Sequence, residues 1–317
     1  MPTDSSRPVS SQIRLSHARL PATLEIQVMD EYGVMRSQSI AAERALTVYL
    51  NRREIVTLMT LGADPEALVV GYLRNQGLIG AREDLEAVFV DWEVESAAVV
   101  SRHVPEDIEE RLGRRTVTTG CGQGTVFGRL LEATDARPLV GSGLRQSVLY
   151  QLLENLGAYN ETYRSAGAVH GCALCRGDQV LDFVEDVGRH NAVDTLAGRQ
   201  WLMTQPGVEQ PGVEQPGVEQ PGVEQPGVEQ PGVEQPDSFY TTGRLTSEMV
   251  LKVAQMGISI LISRSGVTQN GVELANRFGV MLIARAKGRH FQAIHASGRL
   301  ELDAVPVPRP GDRQRAR

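Results

Sequence analysis

The strongest constraint on the fold is an alternation of helical and buried-strand patterns in the second half of the chain. Residues 247–256 have the apolar spacing of a helix, and residues 258–263 form a short apolar run typical of a buried strand. The same order recurs, with a helical pattern at 272–278 and an apolar run at 280–284. Helices that alternate with buried strands indicate a sheet covered by helices on its faces. We therefore predict an α/β (α+β) fold.

The first half of the chain has the patterns of a smaller α/β unit. Two strand patterns at 46–50 and 55–59 are followed by Asp64 and Pro65, which suit an N-cap and a first helical turn. Further strands are expected within 88–100. The chain thus reads as a small N-terminal α/β unit followed by a larger layered one.

Six tandem copies of Pro-Gly-Val-Glu-Gln occupy residues 206–235. They contain no apolar side chain larger than valine, so we expect a disordered insert in a surface loop rather than a packed element. Removing their six Glu changes the formal net charge from −7 to −1. The remaining chain is nearly neutral, which argues against a general nucleic-acid binder.

These patterns divide the chain into four parts. We predict a disordered N-terminal tail at 1–39, a small α/β domain at 40–125, a larger domain at 126–304 and a C-terminal tail at 305–317. The repeats fall inside the larger domain.

The sequence also suggests a cellular compartment. The N-terminal residues lack a continuous apolar stretch, and no run reaches the roughly 18 apolar residues of a membrane span, so we expect neither a secretory signal nor membrane association. Three cysteines cannot form a disulfide framework, which favours a reducing cytoplasm.

Cys121 lies in the segment Thr-Thr-Gly-Cys-Gly-Gln-Gly-Thr at 118–125, between glycines and polar residues. Such a setting predicts an accessible loop, and an accessible thiol can be a reactive one. The nearby pair Arg114 and Arg115 would favour the thiolate if the fold keeps it close. An incidental surface cysteine explains the same residues equally well.

A set of short motifs extends from residue 57 to residue 275. The longest is Glu-Asp-Val-Gly-Arg-His-Asn-Ala-Val-Asp at 185–194. The others are Thr-Leu-Met at 57–59, Val-Gly-Tyr-Leu at 70–73, Cys-Gly at 121–122, Gly-Arg at 243–244, Ser-Glu-Met-Val at 247–250, Ile-Ser-Arg-Ser at 262–265 and Val-Glu-Leu-Ala at 272–275. Together they resemble the formate dehydrogenase accessory sulfurtransferase family, FdhD. The resemblance covers about 46–302, apart from the repeats.

The resemblance implies a sulfur carrier with a cytidine-deaminase-like three-layer larger domain and, as is usual for that fold, a homodimer. In such proteins a cysteine desulfurase transfers sulfur to a loop cysteine, here Cys121, as a persulfide. The sulfur then passes to the molybdenum of bis-(molybdopterin guanine dinucleotide), which is a bound substrate, before that cofactor enters formate dehydrogenase. The family often has Cys-Gly-x-Cys, whereas Gly124 replaces the second cysteine here. A cofactor-binding chaperone without sulfur transfer therefore remains the alternative.

The resemblance also suggests where the anionic cofactor binds. The stretch that corresponds to the family's cofactor-contacting segment consists of Phe291, Gln292, Ala293, Ile294, His295 and Ala296. A plain edge strand in a final hairpin with Arg299 and Leu300 is the competing interpretation. Four cations lie near predicted strand ends, where open α/β sheets bind ligands: Arg244, Arg264, Lys287 and Arg289.

Two further groups of polar residues allow more than one interpretation. Cys172 and Cys175, with His170 before them, have a spacing compatible with metal or redox chemistry, but Ala173 and Leu174 favour a buried strand, and we predict no metal site. A zinc deaminase is excluded because the chain lacks His-x-Glu and a Pro before Cys172.

The polar residues of 185–194 are the second group. They suit acid–base catalysis, or alternatively a structural role in which they cap a helix and hold a loop through buried hydrogen bonds. We favour the structural or cofactor-positioning role, since sulfur transfer between thiolates needs little proton chemistry.

Overall fold

The computed structural model describes residues 13–113, 116–117, 124–125, 138–203, 235–295 and 297–306. These residues form two main sheets, each with its own apolar core, and two helices in close contact join them. The mixed α/β class is thereby confirmed. None of the helices in the described part of the chain has the length and apolar character needed to cross a bilayer.

The first three strands lie in the segment that we predicted to be a disordered tail. They are β1 (Arg14–Leu15), β2 (Thr23–Met29) and β3 (Met35–Ala41). β1 joins the first main sheet, and β2 pairs with β3 as an antiparallel hairpin. The prediction of disorder for 1–39 is therefore wrong from residue 13 onward. The missed signal is the alternation of Leu24, Ile26 and Val28, which gives β2 one apolar face.

The first main sheet forms the N-terminal unit. Its strands are β1, β4 (Arg44–Leu50), β5 (Arg53–Thr60), β6 (Leu85–Asp91) and β7 (Ser96–Ser101), in the order β1-β6-β7-β4-β5. Helix α1 (Pro65–Asn75) packs on this sheet, and α2 (Ile108–Gly113) follows β7. Asp64 precedes α1 as predicted from sequence, but its side chain pairs with Arg199 instead of capping the helix.

The second main sheet has six strands in the order β12-β11-β13-β14-β15-β16. They are β11 (His170–Arg176), β12 (Gln179–Asp186), β13 (Ser238–Thr241), β14 (Ile260–Ser263), β15 (Met281–Lys287) and β16 (His290–His295). Strands β13, β14 and β15 are parallel, and β13 and β14 are fully buried. The continuous apolar run at 258–263 predicted the burial of β14. Two minor pairs are β8 (Thr116–Val117) with β9 (Gly124–Thr125), and β10 (Leu144–Arg145) with β17 (Leu300–Glu301).

Helices cover both faces of the six-stranded sheet. They are α3 (Gln146–Asn155), α4 (Glu161–Ala166), α5 (Arg189–Met203), α6 (Ser247–Gln255) and α7 (Gln269–Phe278). Helices α5, α6 and α7 connect successive strands and share one core with Cys172, Phe239 and Leu261. Helix α3 packs on the opposite face, against Ala173, Cys175 and other side chains. The result is three layers, with α5 as the helix next to the N-terminal unit.

Helices α1 and α5 cross at two glycines. A Cβ atom placed on Gly71 would overlap the backbone carbonyl of Asp194, and one placed on Gly198 would overlap the carbonyl of Ala67. Both positions therefore require glycine. Trp201, at the end of α5, is buried in the core of the N-terminal unit. The two units thus share a tightly packed helical interface.

Candidate functional site

The predicted sulfur-accepting residue, Cys121, lies outside the described residues. Strands β8 and β9 flank it in sequence and pair antiparallel, with Val117 opposite Gly124. The role of Cys121 stays a prediction.

The two cysteines of β11 cannot act together. Cys172 belongs to the core beneath α5 to α7, whereas Cys175 belongs to the core beneath α3, so their side chains lie on opposite faces of the sheet. Both are buried free thiols. Burial raises the pKa of Cys172 to about 12 and also raises the pKa of Cys175 above its ordinary value. Among the residues that the structure describes, no group of three candidate ligands could hold a metal ion.

A row of arginines lies at the carboxyl edge of the parallel strands. Arg244 and Arg264 follow β13 and β14, and Arg285 lies near the end of β15; all three side chains are exposed. The backbone N–H of Arg264 donates to the Thr241 carbonyl at 3.1 Å, and that of Arg285 donates to the Ser265 carbonyl at 2.8 Å. These hydrogen bonds hold the three segments side by side. We call Arg244, Arg264 and Arg285 the cationic edge.

The positive charge of this edge influences the pKa values of neighbouring groups. Burial lowers the pKa of His170, and the charges of Arg189 and Arg244 lower it further. Burial raises the pKa of Tyr240 to about 12, although the charge of Arg264 opposes that shift. Arginine remains charged at all physiological pH values. The edge can therefore attract an anion such as phosphate or pyrophosphate.

The predicted cofactor-contacting stretch runs along β16, the edge strand of the sheet. Its hairpin partner is β15, not Arg299 and Leu300 as the competing interpretation had it, because Leu300 pairs with Leu144. Phe291 and Ala293 pack toward the core beneath α3, whereas Gln292 and Ile294 are exposed.

Only the start of this stretch lies near the cationic edge. His290 pairs with Lys287, whereas His295 pairs with Leu282 toward the amino end of the sheet. Ala296 lies outside the described residues. Of the other two predicted cations, Lys287 ends β15 and is exposed, and Arg289 lies 5.6 Å from the ring centroid of Tyr150. The binding role of 291–296 stays a prediction.

Asp186, in the most specific motif, ties the two units together. Its Oδ2 accepts hydrogen bonds from the Thr60 hydroxyl at 2.6 Å and the Leu61 backbone N–H at 3.2 Å. Its Oδ1 accepts from the Gly188 N–H at 3.1 Å and from Asn191 Nδ2 at 2.8 Å. Burial raises the pKa of Asp186, while these four hydrogen bonds oppose the shift. Both carboxylate oxygens of Asp186 thus accept two hydrogen bonds each, as a structural role requires.

A buried network of charges surrounds Asp194 and His190. Lys252 Nζ lies 2.8 Å from Asp194 Oδ2 and 3.3 Å from Glu248 Oε1. Asn75 of α1 donates to Asp194 Oδ1 at 2.7 Å, which adds a further tie between the units. Burial alone would lower the pKa of Lys252, but the two neighbouring carboxylates raise it, so the amine stays charged.

His190 belongs to the same network and has no access to a substrate. It is 3% exposed, and its Nε2 lies 3.3 Å from Glu248 Oε2. Burial and then the charge of Lys252 lower its pKa to about 2. A neutral, enclosed imidazole is a poor general acid or base near neutral pH. The acid–base interpretation of the 185–194 motif is therefore not supported.

Arg189 stands between this network and the cationic edge. It is 5% exposed, and its side chain packs against Gly243. A Cβ atom added to Gly243 would lie only 2.6 Å from Arg189 Cδ. Gly243 thus leaves room for a buried cation directly behind the exposed Arg244. This placement adds positive potential to the edge without adding an exposed side chain.

Sequence reasoning missed several of these residues. Arg285 follows the apolar run at 280–284, so the rule that ligands bind at strand ends would have found it. Lys252 and Glu248 have the i,i+4 spacing of a helical ion pair, which was visible in the sequence. Nothing in the sequence indicates that Thr60 and Asp186 meet, since 126 residues separate them.

The chain matches the FdhD/NarQ family over residues 41–210 and 232–301. This match spans most of its length. The chain belongs to the FdhD/NarQ family. The family thus includes both the N-terminal unit and the six-stranded sheet, and it accounts for the 185–194 motif that joins them.

Individual relatives align with this chain over a similar extent. A protein of Listeria monocytogenes serotype 4b named sulfur carrier protein FdhD is 26% identical over 253 residues, which are 79% of this chain and 87% of that protein. A protein of Wolinella succinogenes with the same name is 27% identical over 270 residues, covering 84% of this chain and 83% of the relative.

One solved structure is also similar. A formate dehydrogenase accessory protein from Desulfotalea psychrophila aligns with a TM-score of 0.65 and 25% sequence identity. The alignment covers 88% of this chain and 100% of that one. The overall architecture described above is thus shared with an accessory protein of this kind.

Proposed function

We propose that this protein is a sulfur carrier for formate dehydrogenase. It accepts sulfur from a cysteine desulfurase as a persulfide on Cys121 and transfers that sulfur to the molybdenum of bis-(molybdopterin guanine dinucleotide). The cofactor is the substrate of this step and then enters formate dehydrogenase. Membership of the FdhD/NarQ family, with relatives named sulfur carrier proteins, supports the proposal.

One observation favours Cys121 as the acceptor. The chain has three cysteines, and two of them are buried thiols with raised pKa values. A thiol reacts as its thiolate, so Cys172 and Cys175 are unsuited to sulfur transfer. Cys121 is the remaining candidate, and its Gly-Cys-Gly setting leaves the sulfur unhindered by its neighbours in sequence.

The acceptance step is a thiolate exchange. The Cys121 thiolate attacks the outer sulfur of the desulfurase persulfide, an S–S bond forms on Cys121, and the original S–S bond breaks. The desulfurase cysteine leaves as a thiolate, so no external oxidant or reductant is consumed. The exchange needs no general acid or base, which agrees with a structural role for His190 and Asp186.

The cationic edge supports binding of the anionic cofactor. Its guanidinium groups can pair with pyrophosphate oxygens, and the start of β16 adjoins it through Lys287. We propose that the cofactor binds there, with Phe291 and Gln292 beside it.

A cofactor-binding chaperone without sulfur transfer is the second candidate. Gly124 favours it, because a second loop thiol that could resolve a persulfide is absent from that position. The two candidates differ in one testable respect. A carrier requires the thiol of Cys121, whereas a chaperone does not.

The deciding experiment is mass spectrometry of the purified protein after incubation with a cysteine desulfurase and cysteine. We expect the wild-type chain to gain one sulfur atom, removable by a reductant and located at Cys121 by peptide mapping. The Cys121→Ala variant should gain none. Cys175→Ala is the matched control, because it removes a buried thiol, and it should gain sulfur as the wild type does.

The opposite pattern would favour the chaperone. If the wild type gains no sulfur while the Cys121→Ala variant still restores formate dehydrogenase activity in cells lacking the protein, sulfur transfer is not its function. A gain of sulfur at Cys172 or Cys175 would contradict the single-thiol mechanism.

A further inference from the structure

Arg285, one of the three arginines of the cationic edge, has a backbone conformation that favours glycine. Its φ is 51°, in the left-handed region. In that region the Cβ atom of an L-residue crowds its own backbone, so residues other than glycine, asparagine and aspartate seldom occupy it. The chain nevertheless has a long, charged side chain at this position. The local backbone preference therefore does not explain why residue 285 is an arginine.

Arg285 lies in a β-bulge of the hairpin formed by β15 and β16. Ala284 pairs with Gln292, and Lys287 pairs with His290, so two residues of β15 lie opposite one residue of β16. When the first residue of such a bulge is left-handed, it is ordinarily glycine. Bulges of this kind turn a side chain out of the regular alternation of its strand, and they are common beside active sites.

The side chains on either side of the bulge show what it changes. Ile283 belongs to the core beneath α3, whereas Ala284 belongs to the core beneath α5 to α7. Strict alternation would therefore direct the side chain of residue 285 into the apolar core beneath α3. Instead Ala286 occupies that core, and Arg285 is exposed. The bulge thus keeps a guanidinium group out of the core and places it at the carboxyl edge of the sheet.

The charge of Arg285 is not balanced by an acidic side chain. Other surface arginines have such a partner, as Arg36 does in Asp30 at 2.7 Å. Within the ranges that the structure describes, the three arginines of the cationic edge form no ion pair with a carboxylate. Neighbouring guanidinium groups repel one another, and an anion bound between them would relieve that repulsion.

We propose that Arg285 is held in this conformation because its guanidinium binds a phosphate group of the anionic substrate. The inference rests on the function proposed above, since it assigns Arg285 to the cofactor site at the cationic edge. A guanidinium group can bind two phosphate oxygens at once in a fixed geometry. The protein thus loses some stability at residue 285 and gains affinity for a diphosphate ligand.

Two substitutions separate the cost of the backbone conformation from the function of the side chain. Arg285→Ala and Arg285→Gly both remove the guanidinium group, but only glycine relieves the left-handed backbone. Both variants should raise the dissociation constant for inorganic pyrophosphate about tenfold, as the loss of a hydrogen bond between charged groups does. Isothermal titration calorimetry of the full-length protein measures this constant. In urea unfolding, Arg285→Gly should have a higher midpoint than Arg285→Ala.

Arg52 provides the matched control, because it has the same backbone conformation away from the cationic edge. It is exposed in the turn between β4 and β5 of the N-terminal unit, and its φ is 69°. Arg52→Gly should exceed Arg52→Ala in urea midpoint by a similar amount. Both Arg52 variants should bind pyrophosphate as tightly as the wild type does.

The possible outcomes separate the role of Arg285 from the proposed cofactor site. If both Arg285 variants bind pyrophosphate as the wild type does, while the double variant Arg244→Ala with Arg264→Ala binds it more weakly, the role of Arg285 is overturned and the site stands. Equal urea midpoints for Arg285→Gly and Arg285→Ala would overturn the cost assigned to the conformation. A wild-type protein that binds no pyrophosphate would overturn both the site and the role of Arg285, whereas sulfur transfer to Cys121 is decided separately by mass spectrometry.

Discussion

Two of the three cysteines occupy one strand, three residues apart, yet each lies in a different core. The pKa of about 12 for Cys172 leaves roughly one thiol in 10⁴ ionised at pH 8. The spacing Cys-x-x-Cys therefore has no chemical meaning in this strand. Alternation of side chains along a strand separates the two sulfurs, and burial makes each of them inert.

Thiol titration tests whether the buried thiols of Cys172 and Cys175 are unreactive. We expect one thiol per native chain to react with a chromogenic disulfide reagent and three to react in denaturant. The Cys121→Ala variant should show no fast native reaction, because its remaining thiols are buried and protonated. Rapid labelling of native Cys121→Ala protein would contradict the burial of Cys172 and Cys175.

His190 predicts how stability depends on pH. Its pKa is lowered from 6.5 to about 2 in the folded protein, so below about pH 6.5 the unfolded chain binds a proton that the folded one does not. The stability that His190 contributes is present above pH 6.5 and is lost as the pH falls below it. One proton corresponds to about 1.4 kcal/mol of unfolding free energy per pH unit.

Urea unfolding at pH 7.5, 6 and 5 measures this effect. Between pH 6 and 5, the free energy of unfolding of His190→Gln should fall by about 1.2 kcal/mol less than that of the wild type, because the unfolded histidine is only partly protonated at pH 6. Gln151→Ala, at an exposed residue that does not titrate, is the control and should follow the wild-type slope. An unchanged slope for His190→Gln would mean that the buried imidazole is protonated in the folded state.

At the level of elements, the crossing of α1 and α5 depends on two glycines. Helix interiors ordinarily favour Ala over Gly by about 1 kcal/mol, so a Gly→Ala change should stabilise an unhindered helix. At Gly71 the new methyl group would instead overlap the Asp194 carbonyl. Packing here outweighs intrinsic helix propensity.

Gly71→Ala should therefore destabilise the protein, by about 1–3 kcal/mol or more, as overpacking of a rigid contact does. The urea midpoint measures the loss. Gly157→Ala is the matched control, because no atom lies within 4 Å of its added Cβ. If both variants unfold at the wild-type midpoint, the helices are not in backbone contact.

At the level of the whole molecule, the 185–194 segment holds the two units together from the edge of the second sheet. Asp186 binds backbone and side-chain groups of 60–61, and Asn191 donates to the Met59 carbonyl at 2.6 Å. Asp194 reaches α1 through Asn75. The same segment places Arg189 behind the cationic edge. One motif thus fixes the N-terminal unit and shapes the candidate binding site.

The sequence alone determined the class of the fold and many of its elements. Continuous apolar runs, such as the one at 258–263, indicated buried strands of a covered sheet, and Asp64 with Pro65 marked the start of α1. Motifs identified the family and singled out Cys121, because these signals are local in the chain. The alternation in β2 was equally local, but it lies in a segment whose composition suggested disorder.

Only the tertiary structure decided which distant residues meet. It placed Cys172 and Cys175 on opposite faces, assigned His190 to a buried network with Glu248 and Lys252, and aligned Arg285 with Arg244 and Arg264 at one edge. The pKa of a histidine or a cysteine depends on burial and on neighbouring charges brought from elsewhere in the chain. Those neighbours are set by packing, which no local pattern in the sequence specifies.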